Sequence, residues 1–276
     1  MEPPKVIANW RQLECLHQTL LADQGRCLIY RGQREFRWDL ATTLERAGRR
    51  FSLSPDLLPA AESWLITEFQ RHAHRFATGL PEPVDRMRWM ALMQHHGAPT
   101  RLLDCTYSFY VAMHFAIEHA TGGQHCALWV IDQKSCWEHA KGQLPHDLAA
   151  EIEASPDNGK TPALQARVLE NQVLGVVPDN PFSLDERLAV QQGVFLLPLD
   201  ITNSMMANLQ GVTAQAGDDA VRKYEICCTS ELLRDALAAL RRMNISRVSL
   251  FSGLDGLACS LENRIAGEAV GRGGAV

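Results

Sequence analysis

The chain has 276 residues, 46% hydrophobic and 21% charged, a globular composition that excludes a disordered polyelectrolyte. Its formal charge of −5 divides into +2 over residues 1–110 and −7 over 111–276. That basic excess is too weak for a bulk nucleic-acid surface, yet it suits a phosphate-bearing ligand held by the N-terminal part. No run reaches the roughly 20 apolar residues of a membrane span. Residues 1–10 hold two prolines and no apolar core, so no secretory signal is expected. The expectation is therefore a cytoplasmic protein with no membrane partner.

In chain order, residues 10–22 predict an amphipathic helix, with Trp10, Leu13, Leu16, Leu20 and Leu21 at helical spacing. Residues 26–31 form a short β-rich run after Gly25 and predict a strand ending at Arg31-Gly32. Residues 54–76 predict a helix with Leu57, Ala61, Trp64, Leu65, Phe69 and Phe76 on its apolar face. A further helix over 86–96 ends where Gly97 can adopt a left-handed conformation. Residues 108–120 are a strongly apolar helix with Ser108 as N-cap.

A buried strand follows over 125–132, and further strands are predicted over 192–200 and 223–228. Residues 230–243 predict a capped amphipathic helix, 248–251 a short apolar segment and 253–265 a closing helix. Residues 138–182 are polar, with weak helical periodicity, and are expected to be an insertion or lid. The fold class is thus α/β (α+β), a single domain over 1–276 with a central mixed sheet, flanking helices and a helical insertion.

Eight cysteines contain no C-x-x-C pair, so buried free thiols are expected rather than zinc ligation or disulfides. All ten histidines lie at or before His146, without spacing that would share a metal, and no metal is expected. Phosphate-loop, zinc-protease and serine-hydrolase signatures are absent from the sequence.

Four segments are polar for their setting. Tyr30-Arg31-Gly32-Gln33 can present a guanidinium fork to a phosphate or carboxylate, although a surface arginine after a strand reads the same way. Residues 94–104 gather Gln94, His95, His96, Thr100, Arg101 and Asp104 around Gly97 and Pro99. Arg101 and Asp104 can pair if that turn is helical, and a plain helix C-terminus would explain the histidines alone. Asp104-Cys105-Thr106 precedes a helix whose free N–H groups can bind an anion, with ordinary capping as the alternative. Gln191-Gln192-Gly193 leads into an apolar strand and can hydrogen-bond an amide or a sugar.

Taken together, these segments resemble the FRG-domain family. Tyr30-Arg31-Gly32 is similar to the motif that gives the family its name, and Leu44 to Arg46, Glu62 and Phe69 resemble the elements after it. Gln94, His95, Gly97, Pro99, Thr100, Arg101, Leu102, Leu103, Asp104 and Thr106 resemble its long central motif, continued by Ala112, Phe115 and Ala116. Arg187, Gln191, Gln192, Gly193 and Phe195 resemble a later element, so the likeness runs from about residue 10 to about residue 260.

The order of these elements also resembles ADP-ribosyltransferases, which implies an ADP-ribosyltransferase-like core and NAD as substrate. In that likeness Arg31 holds the pyrophosphate, and Thr106 and Gln192 hold nicotinamide and ribose. Gln192 falls where such enzymes carry a catalytic glutamate, and Asp104 is the carboxylate that can supply the missing charge. Tyr30, Gly32, Gln33, Thr100, Arg101 and Gln191 complete the expected nucleotide site. Arg31, His95, Asp104 and Gln192 are the expected catalytic set, His95 as acid or base. The expected partners are a nucleotide ligand and an acceptor, protein or nucleic acid, in the natural setting of a toxin or defence effector. The other two functional expectations are a non-catalytic nucleotide sensor and a nuclease or phosphodiesterase using His95, His96 and Asp104.

Overall fold

A strand that is apolar on both sides must be covered on both faces. Along the strand at residues 124–132, Cys126, Leu128 and Val130 enter one core cluster, and Ala127, Trp129 and Ile131 enter another. The computed structural model, which describes residues 6–23, 25–155, 161–180, 186–251, 253–254 and 256–258, meets this demand with a seven-stranded sheet between helices. The N-terminal elements are β1 (Val6–Ile7), α1 (Trp10–Leu21), β2 (Leu28–Gln33), α2 (Thr43–Arg50), α3 (Leu58–Ala73) and α4 (Arg86–His95). The middle comprises β3 (Leu103–Thr106), α5 (Phe109–Ile117), β4 (Gln124–Asp132), α6 (Gln133–Gln143), α7 (His146–Ala154), α8 (Pro162–Glu170) and β5 (Val176–Asp179). There follow α9 (Glu186–Val190), β6 (Gly193–Pro198), α10 (Met205–Ala216), β7 (Val221–Cys228), α11 (Ser230–Arg242) and α12 (Arg247–Leu250).

The strand order is β1-β7-β4-β2-β3-β6-β5. β1 runs parallel to β7 and every other pair is antiparallel, so the protein is a mixed α/β fold. Leucines and small apolar residues of α1, α5 and α11 cover one face, and Cys136 of α6 with Met205, Leu209 and Val212 of α10 cover the other.

One join in this sheet differs from the rest. β2 pairs with β4 over six residues, and β3 pairs with β6 over four. Between β2 and β3 there is a single pair, Tyr30 with Thr106. The sheet therefore splits beyond that pair, leaving a cleft between the strand that carries Arg31 and the strand that carries Asp104.

Several expectations are corrected. The helix expected over 54–76 is α3, preceded by a 3-10 turn at Pro55–Leu57, and only part of its expected face turns inward, with Leu65 and Phe69 packed against a core cluster. Leu58, Glu62, Ile66 and Ala73 are buried, while Leu57, Trp64 and Phe76 are exposed. The helix is turned so that Glu62 meets a buried arginine on a distant segment. β2 continues through Gly32 to Gln33. Residues 138–182 hold most of α6, all of α7 and α8, which share an apolar cluster around Ala140, Ile152 and Val168, and the outermost strand β5. Cys105, Cys126, Cys136 and Cys228 are buried free thiols as expected, whereas Cys15 and Cys27 are exposed. The helix expected over 253–265 lies mostly outside the described residues. Among the described residues, no helix is long and apolar enough to cross a membrane.

Candidate functional site

The cleft is shaped first by a glycine. A Cβ built on Gly32 would stand 1.9 Å from the carbonyl oxygen of Ala112 and 2.6 Å from the amide of Ala116. β2 thus lies directly against the backbone of α5, and no side chain fits between them. This contact sets the floor of a cavity of about 610 Å³, lined by Tyr30, Arg31 and Gly32 from β2, Asp104, Cys105 and Thr106 from β3, and Ala112 and Phe115 from α5.

Arg31 bridges the split. Its Nη1 donates to the carbonyl of Asp104, in place of the ladder bond that the separated strands no longer make. Its Nε is buried and has no hydrogen-bond partner. The guanidinium is therefore held at one corner and keeps donors for an anionic ligand. Beside it, burial pushes the Cys105 thiol up to about 12, against the opposing pull of Arg31, so this sulfur is a neutral wall of the cavity.

Asp104 is exposed to the cleft, and its Oδ2 accepts from Gln94 Nε2 at 2.8 Å. The other end of Gln94 accepts from the Thr100 hydroxyl at 2.7 Å. Thr100 is itself tied to α2: its amide donates to Thr43 Oγ1 at 2.9 Å, and its carbonyl accepts from the Leu44 amide at 2.9 Å. Gly97, at φ +82°, turns the chain from α4 into this loop. Arg101 does not pair with Asp104. It is buried with Glu62, to which Nε donates at 2.7 Å and Nη2 donates a second bond, because β3 begins at Leu103 and carries Asp104 away from it.

The opposite wall comes from α9, α12 and the start of β6. The Thr106 hydroxyl donates to the Gln191 carbonyl at 2.7 Å and accepts from the Ser108 amide at 3.0 Å, so its only donor is committed within the protein. Gln191 lines the cavity, with Nε2 donating to the Leu250 carbonyl at 3.0 Å. Gln192 takes a left-handed conformation, φ +48°, and is exposed on the outer side of the turn. Phe251 closes the far end beneath the guanidinium groups of Arg187 and Arg247, each 4.6 Å from its ring.

Glu118 also lines the cavity, nearly buried, 2.9 Å from Arg247 Nη1 and 3.4 Å from His114 Nε2. Burial alone would raise its carboxyl, but the bonds and charges of His114 and Arg247 outweigh that and hold it below the ordinary glutamate value.

Of the expected site residues, Tyr30, Arg31, Gly32, Asp104, Thr106 and Gln191 therefore meet in one cavity. Thr100 and Arg101 are buried braces of the loop, and Gln33 accepts from Trp129 Nε1 at 2.7 Å on the other side of β2. His95 and His96 are exposed at the end of α4, ring to ring at 4.9 Å, and neither lines the cavity. Sequence reasoning missed Glu118, Arg247 and Phe251. For the first a signal exists: Ala112, Phe115 and Glu118 recur every three residues and so share a helix face. Among the described residues no group of three His, Cys, Asp or Glu side chains is placed to hold a metal ion.

No curated protein and no solved structure matches the chain. The model of the FRG domain does match, over residues 26–124. That stretch runs from just before β2 through α5 and supplies Arg31, Gly32, Asp104, Thr106, Phe115 and Glu118 to the cavity, while Arg187, Gln191, Arg247 and Phe251 come from beyond it. By this match, the chain carries an FRG domain, and the domain contributes the floor and one wall of the cleft.

Proposed function

We propose that the cleft binds NAD and that the protein is an ADP-ribosyltransferase-like enzyme, transferring ADP-ribose to an acceptor or to water. The observation that carries this reading is Arg31 at the split of the sheet, fixed through one nitrogen while its buried Nε has no partner within the protein. A pyrophosphate fits such a fork. Phe115 and Phe251 offer apolar walls to the rings of a dinucleotide, and Gln191 keeps its side-chain oxygen for a ribose hydroxyl.

In this chemistry the bond between ribose C1′ and the nicotinamide nitrogen breaks, and nicotinamide leaves with the bonding electrons. Positive charge develops on the sugar, and the acceptor's lone pair forms the new bond to C1′ as its proton is released. Asp104 is the carboxylate assigned to that charge: it faces the cleft, and only Oδ2 is engaged, by Gln94. Glu118 is less suited, being already paired with Arg247. Gln192 has no part in this assignment.

The test is NAD titration and nicotinamide release by the wild type and by folded Arg31→Ala, Asp104→Asn and Gln192→Ala variants. Arg31→Ala should weaken NAD binding roughly 10- to 100-fold. Asp104→Asn should leave binding within a few-fold and slow release by about 10²–10³. Gln192→Ala should change neither. Failure of the folded wild type to bind millimolar NAD overturns the reading. A second reading, a nucleotide sensor without turnover, is favoured by the exposed Gln192 and by the Thr106 hydroxyl, whose only donor is committed to Gln191. Tight NAD binding with no release would select it.

A further inference from the structure

The cleft does not end at Arg31. A second depression of about 580 Å³ continues from it, sharing Arg31, Gly32 and Phe115, and is walled by residues after β2 and by α2. The chain is strongly basic here, with seven arginines against three acidic residues over 26–50, although its total charge is −5. Arg34 and Arg37 are exposed and make no ion pair among the described residues. Arg46 donates to the Ala41 carbonyl at 2.7 Å and makes no direct ion pair among the described residues, although the charges of Asp104 and Glu45 act on it. Trp38 stands among them, 47% exposed, with the Arg34 guanidinium 5.4 Å from its ring.

Free guanidinium groups spaced along a groove match a repeating phosphate charge, and an exposed indole matches the face of an unstacked base. The basic run borders a depression in a chain whose total charge is −5, a setting for a single strand rather than for the broad basic face that a duplex takes. We infer that this groove binds single-stranded nucleic acid, with phosphodiesters on Arg34, Arg37 and Arg46 and a base on Trp38. Resting on the NAD reading above, the strand bound there is the acceptor: a nucleophilic atom of the nucleotide nearest Arg31 supplies the electron pair to ribose C1′ and loses its proton. The binding itself needs no NAD.

Fluorescence anisotropy of a labelled 12-nucleotide single strand, DNA and RNA in parallel, tests this on the whole chain without NAD. Three phosphate contacts predict that affinity falls about 20-fold between 50 and 200 mM salt. The double variant Arg34→Ala/Arg37→Ala should retain about a third of the salt slope. Trp38→Ala should weaken binding about 10-fold at every salt concentration with the slope unchanged. None of these exposed side chains supports the core, and NAD titration of the same variants should match the wild type. Absence of binding at 50 mM salt overturns the inference. So does binding that the arginine variant leaves untouched, or equal binding of a polyglutamate chain or of the matching duplex. Oligonucleotide binding without NAD binding sinks the NAD reading and the acceptor role that rests on it but leaves strand binding standing, and NAD binding without oligonucleotide binding sinks this inference alone.

Discussion

A buried charge is costly unless it is paired, and Arg101 shows how a residue that reads as a ligand-binding arginine can be committed to its own protein. Its guanidinium is 4% exposed and makes two bonds to Glu62, which is 2% exposed, with Arg86 a further 3.7 Å away. Glu62→Ala leaves that cation buried and is expected to cost about 3–5 kcal/mol in urea unfolding. The double variant Glu62→Leu/Arg101→Met should recover most of the loss, whereas a ligand-binding arginine would not be rescued in this way. Glu118 gives a prediction in pH. Its carboxyl lies below the ordinary value when folded, so the unfolded chain takes up the proton at higher pH than the folded chain does. Its contribution is present in full above about pH 5 and is lost as pH falls through roughly 4 and below. The wild-type urea midpoint should therefore drop more steeply over that interval than that of Glu118→Gln.

Among the elements, the contact between β2 and α5 leaves least room for change. Ala112 and Ala116 present backbone to Gly32, and a methyl group there meets a carbonyl oxygen rather than a flexible side chain. Gly32→Ala must push the helix off the strand. Its cost should reach or exceed the upper end of the ~1–3 kcal/mol typical of overpacked sites, and NAD binding should weaken because Phe115 rides on the same helix. Thermal unfolding and NAD titration of one sample check both. The loop from α4 to β3 is held differently, by Gln94 and Thr100 side chains reaching Asp104 and α2. This explains why residues 94–104 read so strongly as a motif: half of its polar groups hold the loop, and Asp104 alone of them faces the cleft.

At the scale of the whole molecule, the sheet and its two helical layers were legible because strand and helix periodicity is local. The meeting of Arg31 with Asp104 and Thr106 was expected from the family resemblance, the polar groups beside each apolar run marking the segments but not their contact. What was not legible depended on distance or on backbone. Glu62 and Arg101 find each other across 39 positions, which places a carboxylate on the inward side of α3 where the sequence marked only apolar residues. The left-handed turn at Gln192 has no periodic signature, and it sends that side chain outward while Gln191 turns in. β3, four residues long, is too short for alternation to mark. Residues 248–251 read only as a short apolar segment, and nothing local marked Arg247 and Phe251 as facing Arg187 of α9 across the cavity. The pairing of β1 with β7 has a consequence for how the chain reaches this state. Val6 lies beside Glu225, and the neighbouring strand β4 pairs with β7 about a hundred positions away. Such long closures slow the search for the native arrangement, so β1 must wait, unpaired, until β7, about two hundred positions later, has been made.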